Sequence, residues 1–172
     1  VQTTLFKSLV RSKNQAKQLR VTPPPYARPA RPRGGGRWDC HIPEDGVVLS
    51  PHVEIFRDGT NKGYPFFGEA VKLAAVVSVA MPNANNRMRD APVDVPPDSQ
   101  TYMELIERKF EALLTAAVRA GCDSLVMCDA GCGVYMNDPE KVGSAFGRVV
   151  RSGFPNAFAE IHLVGGQKFA AA

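Results

Sequence analysis

No acidic residue precedes Asp39. The residues before it include Lys7, Arg11, Lys13, Lys17, Arg20, Arg28, Arg31, Arg33 and Arg37, a charge of +9. The other 12 basic and 17 acidic residues give −5, so the net +4 averages a polycationic start and a mildly acidic remainder. A block of one sign seeks phosphate, in a nucleic-acid backbone or an anionic lipid, because each neutralised phosphate releases a counterion. The plainer reading is a solvated segment without a partner.

Long apolar runs are also lacking. The longest, Leu73 to Met81, is far shorter than the about 20 residues a membrane helix needs, so no membrane span is expected. Cysteine is scarce: Cys40, Cys122, Cys128 and Cys132 make neither a Cys-x-x-Cys pair nor a zinc array with the three histidines. They read as reduced thiols of an intracellular protein with no metal site.

The 172 residues suffice for one domain of about 100–150 residues plus an extension. Three regions follow from texture. Over residues 1–20, Leu5, Phe6, Leu9, Val10 and Ala16 fall at near-helical spacing among Lys, Arg, Ser and Gln, like an organelle transit peptide, which points to the mitochondrial matrix. Over 21–46, Pro23, Pro24, Pro25, Pro29, Pro32 and Gly34-Gly35-Gly36 exclude a regular element and predict an extended arm. So polar an arm orders only against a partner or the body. Residues 47–172 have the alternation of a folded body.

In that body Val47-Val48-Leu49 and Val53 to Phe56 read as short strands closed by an Asp58-Gly59 turn, and Lys72 to Met81 as a buried strand ended by Pro82. Asp98 or Ser99 caps a helix whose apolar stripe is Tyr102, Leu105, Ile106, Phe110, Leu113, Leu114, Ala117 and Val118, stopped by Gly121. Ser124 to Cys128 is a second buried strand. Asp138 and Pro139 start another helix with Val142, Ala145, Phe146, Val149 and Val150 inward, and Ile161 to Val164 is a last strand. Strand, helix, strand, loop, helix, strand predicts an α/β fold with a mixed, largely parallel sheet flanked by helices.

Ligands of such sheets sit beyond the carboxyl ends of the strands. The candidate loop is therefore Asp129 to Asn137, where Gly131 and Gly133 permit close backbone approach, the next helix offers N–H groups to a diphosphate, and Tyr135 is placed to stack. Spacing alone leaves open a tight connection in which Tyr135 merely packs.

Three motifs add a resemblance. Gly131-Cys132-Gly133-Val134-Tyr135 with Asn137-Asp138-Pro139 is similar to the phosphate loop and helix of microbial-type poly(ADP-ribose) glycohydrolases. Leu49-Ser50-Pro51-His52-Val53 with Phe56-Arg57-Asp58 resembles that family's strand and turn, and Ala80-Met81-Pro82-Asn83-Ala84 its strand ending in Ala-Pro-Asn. The resemblance covers about residues 47–166. It implies a macrodomain-like sheet, a possible ADP-ribose or related nucleotide ligand at Gly131 to Tyr135, and Asn83 on the ligand side.

The family's catalytic signature is three glycines, a spacer and Gln-Glu-Glu. Here Gly34-Gly35-Gly36 is followed by Pro43-Glu44-Asp45. Glutamate to aspartate withdraws the carboxylate by about 1.5 Å, which is costly where catalytic geometry must hold to a fraction of that. The family's helix between signature and Ser-Pro motif is absent, and the strands expected before the glycines are replaced by the basic arm, so the macrodomain is truncated on its N-terminal side. Glu44 and Asp45 are therefore read as an inactive remnant.

Other residues read blandly: His52 and His162 as packed or surface groups, Arg87 and Arg89 as solvated, Trp38 as an anchor for the arm. The expected function is a non-catalytic, macrodomain-derived structural subunit of a large RNA-containing assembly, for example a mitochondrial ribosome. Lys13, Lys17, Arg20, Arg28, Arg31, Arg33 and Arg37 would contact RNA or other protein subunits. The alternatives are an ADP-ribose-binding module and a glycohydrolase acting on ADP-ribose linkages. No cofactor is expected.

Overall fold

The computed structural model describes residues 10–12, 42, 46–88 and 92–172. Two sheets and three helices follow in chain order. Strands β1 (Val10–Ser12), β2 (Val48–Arg57) and β3 (Phe66–Ser78) form one antiparallel sheet in that order. Helix α1 (Ser99–Arg119) leads to β4 (Ser124–Cys128), α2 (Pro139–Gly153) to β5 (Glu160–Val164), and α3 (Gln167–Ala171) closes the chain. β4 and β5 pair in parallel as a second sheet.

The α/β architecture is the expected one, with its strands divided between two sheets. Among the described residues no strand joins β3 to β4, and parallel pairing is confined to β4 and β5. Within residues 1–20, the near-helical spacing gives in its described part a strand, β1, paired with β2 from Val10 opposite Ile55 to Ser12 opposite Val53.

The two short strands expected before Asp58 are one ten-residue strand running through Pro51. The turn forms where expected: Asp58 accepts from Gly59 N at 2.8 Å and from Lys62 Nζ at 2.9 Å, and its own N–H bonds Pro65 O.

β3 starts six residues before Lys72 and is not the buried strand expected. Over the expected run Lys72 and Ala74 are exposed, Leu73 and Ala75 to Ala80 are half-buried and Met81 alone is buried, because only the end of the run, from Val77, meets the core. β4 departs in the same way: Met127 is buried, while Val126 on the opposite face is 68 % exposed. Helices cover one face of that strand only.

Both helices obey the capping and periodicity in the sequence. Asp98 Oδ2 accepts from the Thr101 N–H and hydroxyl at 2.7 and 2.8 Å, and Asp138 Oδ1 accepts from Glu140 N with Pro139 in the first turn. The α1 stripe packs on Val142, Ala145, Phe146 and Val149 of α2. Val118, assigned to the stripe, is instead exposed, and Lys109 is buried within it. Phe110 and Phe146 meet edge to face at 5.3 Å, and Phe169 of α3, absent from the expected elements, completes the group. Each such buried ring stabilises the core by about 1.5–3 kcal/mol.

Candidate functional site

The loop from Asp129 to Asn137 lies where expected, between the carboxyl end of β4 and the start of α2. Its shape is set by asparagines. Asn137 is buried; its Nδ2 donates to Pro82 O at 2.8 Å and Gly131 O at 2.9 Å, and its Oδ1 accepts from the Tyr102 hydroxyl at 3.0 Å. One amide thus joins the end of the β3 segment, α1 and the loop. Asn85 Nδ2 donates to Val134 O at 2.8 Å, and Ala84 N to Tyr135 O at 2.9 Å, closing the loop onto residues 83–85.

Gly131 is a packing requirement. Its φ is +77°, and a Cβ there would stand 2.7 Å from both Asn137 Nδ2 and Met81 Cβ. Gly133 differs: a Cβ would meet nothing within 4 Å. Around it lies the chemically open part of the loop. Cys132, Met136 and Asn137 use their N–H groups within the loop. Among the described residues, the N–H groups of Gly133, Val134 and Tyr135 make no hydrogen bond. Three consecutive free donors at a half-exposed turn are suited to an anion.

The start of α2 itself is less available than the sequence implied. Asp138 already caps it, and Glu140 adds a second carboxylate in the first turn. The donors open to a diphosphate therefore belong to the loop before the helix. Asp129 joins the neighbouring turn, its Oδ2 accepting from Gly166 N at 3.1 Å, so the loops after β4 and β5 are hydrogen-bonded to each other.

Burial pushes the Cys132 thiol up to about 11, with Asp129 and Asp138 adding to it. The thiol is protonated at neutral pH and its Sγ lies 3.7 Å from Ala130 O, which is poor ground for a nucleophile. Burial likewise raises the Tyr102 phenol to about 12. Asn83 is buried, its side chain bonded to Asn85 N, Asn85 O and Pro92 O, so it shapes the wall beside the loop.

Val134 is exposed and Tyr135 half-buried against the core cluster. Glu44, Asp45, Lys13, Lys17, Arg20, Arg28, Arg31, Arg33, Arg37, Trp38 and Arg89 lie outside the described residues. His52 and His162 are exposed, the latter 2.9 Å from Glu160. Among the described residues no group of His, Cys, Asp or Glu could hold a metal, and no helix is long and apolar enough to cross a membrane. The asparagine clasps escaped sequence reasoning because their partners lie up to 55 residues away.

No protein-family profile and no curated protein matches the chain. Its fold is similar to that of bacterial poly(ADP-ribose) glycohydrolases, a macrodomain-type relationship. The Deinococcus radiodurans enzyme in complex with ADP-ribose is 23 % identical, with a TM-score of 0.59 over 70 % of this chain and 46 % of that one. The Thermomonospora curvata enzyme is 26 % identical, with a TM-score of 0.58 over 70 % of this chain and 41 % of that one. The chain therefore spans less than half the length of these structures.

Proposed function

We propose that the chain is a non-catalytic, macrodomain-derived module that binds a nucleoside diphosphate of the ADP-ribose type at Gly133 to Tyr135. The observation that carries this is the run of three free N–H groups, held open by the Asn137 and Asn85 clasps. A fold neighbour complexed with ADP-ribose makes that molecule the first ligand to test. Cleavage is not part of the proposal, because the Glu44-Asp45 pair departs from the family's glutamates in length and in its preceding residue.

Titration calorimetry with ADP-ribose tests the reading. Gly133→Asp sets a carboxylate in open space beside the donors and is expected to abolish the heat of binding while leaving the melting temperature unchanged. Absence of heat at millimolar ligand, or a Gly133→Asp protein that binds like the parent, overturns it. Release of ADP-ribose from a modified substrate, abolished by Asp45→Ala, overturns the non-catalytic part and makes the chain a hydrolase.

A second reading rests on the +9 charge before Asp39. In it the module is a structural subunit of an RNA-containing assembly, its arm neutralising phosphates, and the basic start directs it to the mitochondrial matrix. The two readings are compatible. If the purified chain binds no RNA at low salt, and RNA does not protect its arm from protease, the second one fails.

A further inference from the structure

A second concavity lies away from the glycine loop, where α2, β5 and α3 meet. Gly143, Phe146, Gly147 and Val150 recur along α2 at three- and four-residue steps, so they share one face of the helix. Ile161 and Leu163, two apart on β5 and therefore on one face of it, line the same cavity, and Phe169 and Ala170 of α3 complete it. Its volume is about 260 Å³, just below the roughly 300 Å³ at which pockets begin to take drug-sized ligands. The walls are apolar and still reachable: Val150 and Ile161 are half-buried and Leu163 is 40 % exposed. Gly143 lets α3 come this close, since a Cβ there would run into Phe169 O.

Arg151 is the only charged side chain in the lining. Its guanidinium lies back over Gly147, with Nη1 and Nη2 at 3.1 and 3.4 Å from where a Cβ of residue 147 would stand. A larger residue at 147 would push it off the cavity. The neighbouring cations are already engaged, Arg148 with Glu107 at 2.7 Å and Lys168 with Glu140 at 3.3 Å. Arg151 has no such partner among the described residues. Glu111 borders the next depression, which Arg151 also lines, and is not paired with it.

We propose that this cavity binds a small carboxylic acid with an apolar body. The carboxylate pairs with Arg151, and the body lies against Phe146, Val150, Ile161 and Leu163. One guanidinium matches one carboxylate through two parallel N–H bonds. A phosphate monoester carries nearly two charges and calls for a second free cation, which Arg148 and Lys168 do not supply. The site goes beyond the nucleotide reading and stands without it, because no residue of the Asp129 to Asn137 loop lines the cavity.

Titration of the methyl-labelled full chain with butanoate, hexanoate, octanoate and decanoate, followed by NMR, tests it. Shifts are expected at Val150, Ile161 and Leu163. Affinity is expected to rise about fourfold per buried methylene and to level off once the cavity is full. This series uses the parent protein alone, so it decides even where a variant folds poorly. Arg151→Gln is expected to weaken octanoate binding about tenfold and to leave 1-octanol unaffected. Gly147→Ala, favourable within a helix, sets its methyl where the guanidinium lies and is expected to act in the same direction. Absence of shifts at millimolar octanoate, shifts confined to other residues, or affinity that climbs with chain length without levelling overturns the cavity. Equal binding of octanoate and 1-octanol, or an Arg151→Gln protein that binds octanoate like the parent, overturns the role of Arg151. Tighter binding of octyl phosphate than of octanoate overturns the carboxylate. A peptide with a free C-terminal leucine that binds more than about tenfold tighter than octanoate makes the occupant a protein C-terminus and overturns the small acid.

Discussion

Gly131 and Gly133 are two residues apart in one loop, and alanine at each should separate the loop's folding role from its binding role. Alanine at 131 inherits a φ of +77°, which costs about 1–2 kcal/mol in an L residue. Its methyl also lands 2.7 Å from Asn137 Nδ2 and Met81 Cβ. Neither neighbour is free to retreat: both residues are buried, and the Asn137 amide is bonded at 2.8 Å to Pro82 O and 2.9 Å to Gly131 O. Overpacking of that kind costs about 1–3 kcal/mol. The expected loss is about 2–5 kcal/mol, a large part of the about 5–15 kcal/mol of a typical domain. Alanine at 133 meets nothing within 4 Å, so it should alter stability by no more than about 0.5 kcal/mol. Urea denaturation followed by circular dichroism reads both as midpoint shifts at constant m. Equal midpoints for the two variants, or a larger loss at 133, would refute the assignment of Gly131 to packing.

Asn137→Ala leaves the Tyr102 hydroxyl and the Pro82 carbonyl without this partner, while Gly131 O keeps the backbone N–H of residue 137, and is expected to destabilise the fold by about 2–3 kcal/mol in the same assay. The raised Tyr102 phenol gives a pH signature: unfolded tyrosine ionises near its usual value of 10.0 while the folded one stays protonated to about 12. Stability is therefore intact below pH 10 and lost as pH rises toward 12, and Tyr102→Phe should lessen that loss; an unchanged alkaline melting profile would count against it. Cys132, with its thiol pushed up to about 11, should react with iodoacetamide only slowly at neutral pH and faster as pH rises. ADP-ribose should slow the labelling further, and rapid labelling at pH 7 would remove the case for a protonated thiol.

The parts of the fold legible in the sequence are those governed by neighbours along the chain. Asp98 before the stripe from Tyr102 to Ala117, and Asp138-Pro139 before Val142 to Val149, place both long helices, because cap and 3.6-residue period act locally. The Asp58-Gly59 turn is local in the same sense. Misreadings fell on residues whose state depends on what covers them. Val126 and Val118 are apolar and fall in segments that read as buried, yet both are exposed, since burial belongs to the packing layer and not to the residue. α3 is five residues long, too short for a period, and is held by Phe169 against Phe146.

By itself the sequence determined the α/β order of elements, the glycine loop after β4, its resemblance to a glycohydrolase phosphate loop and the separation of a polycation from an acidic body. Each is a matter of residue identity or short spacing. Only the tertiary structure decided how the two glycines of that loop divide their work. It also decided that Asp138 occupies the helix end and leaves Gly133 to Tyr135 as the free donors, and that Arg151 lies back over Gly147 beside an apolar cavity. These depend on side chains brought together across as many as 55 residues, and such contacts exist only once the layers have packed.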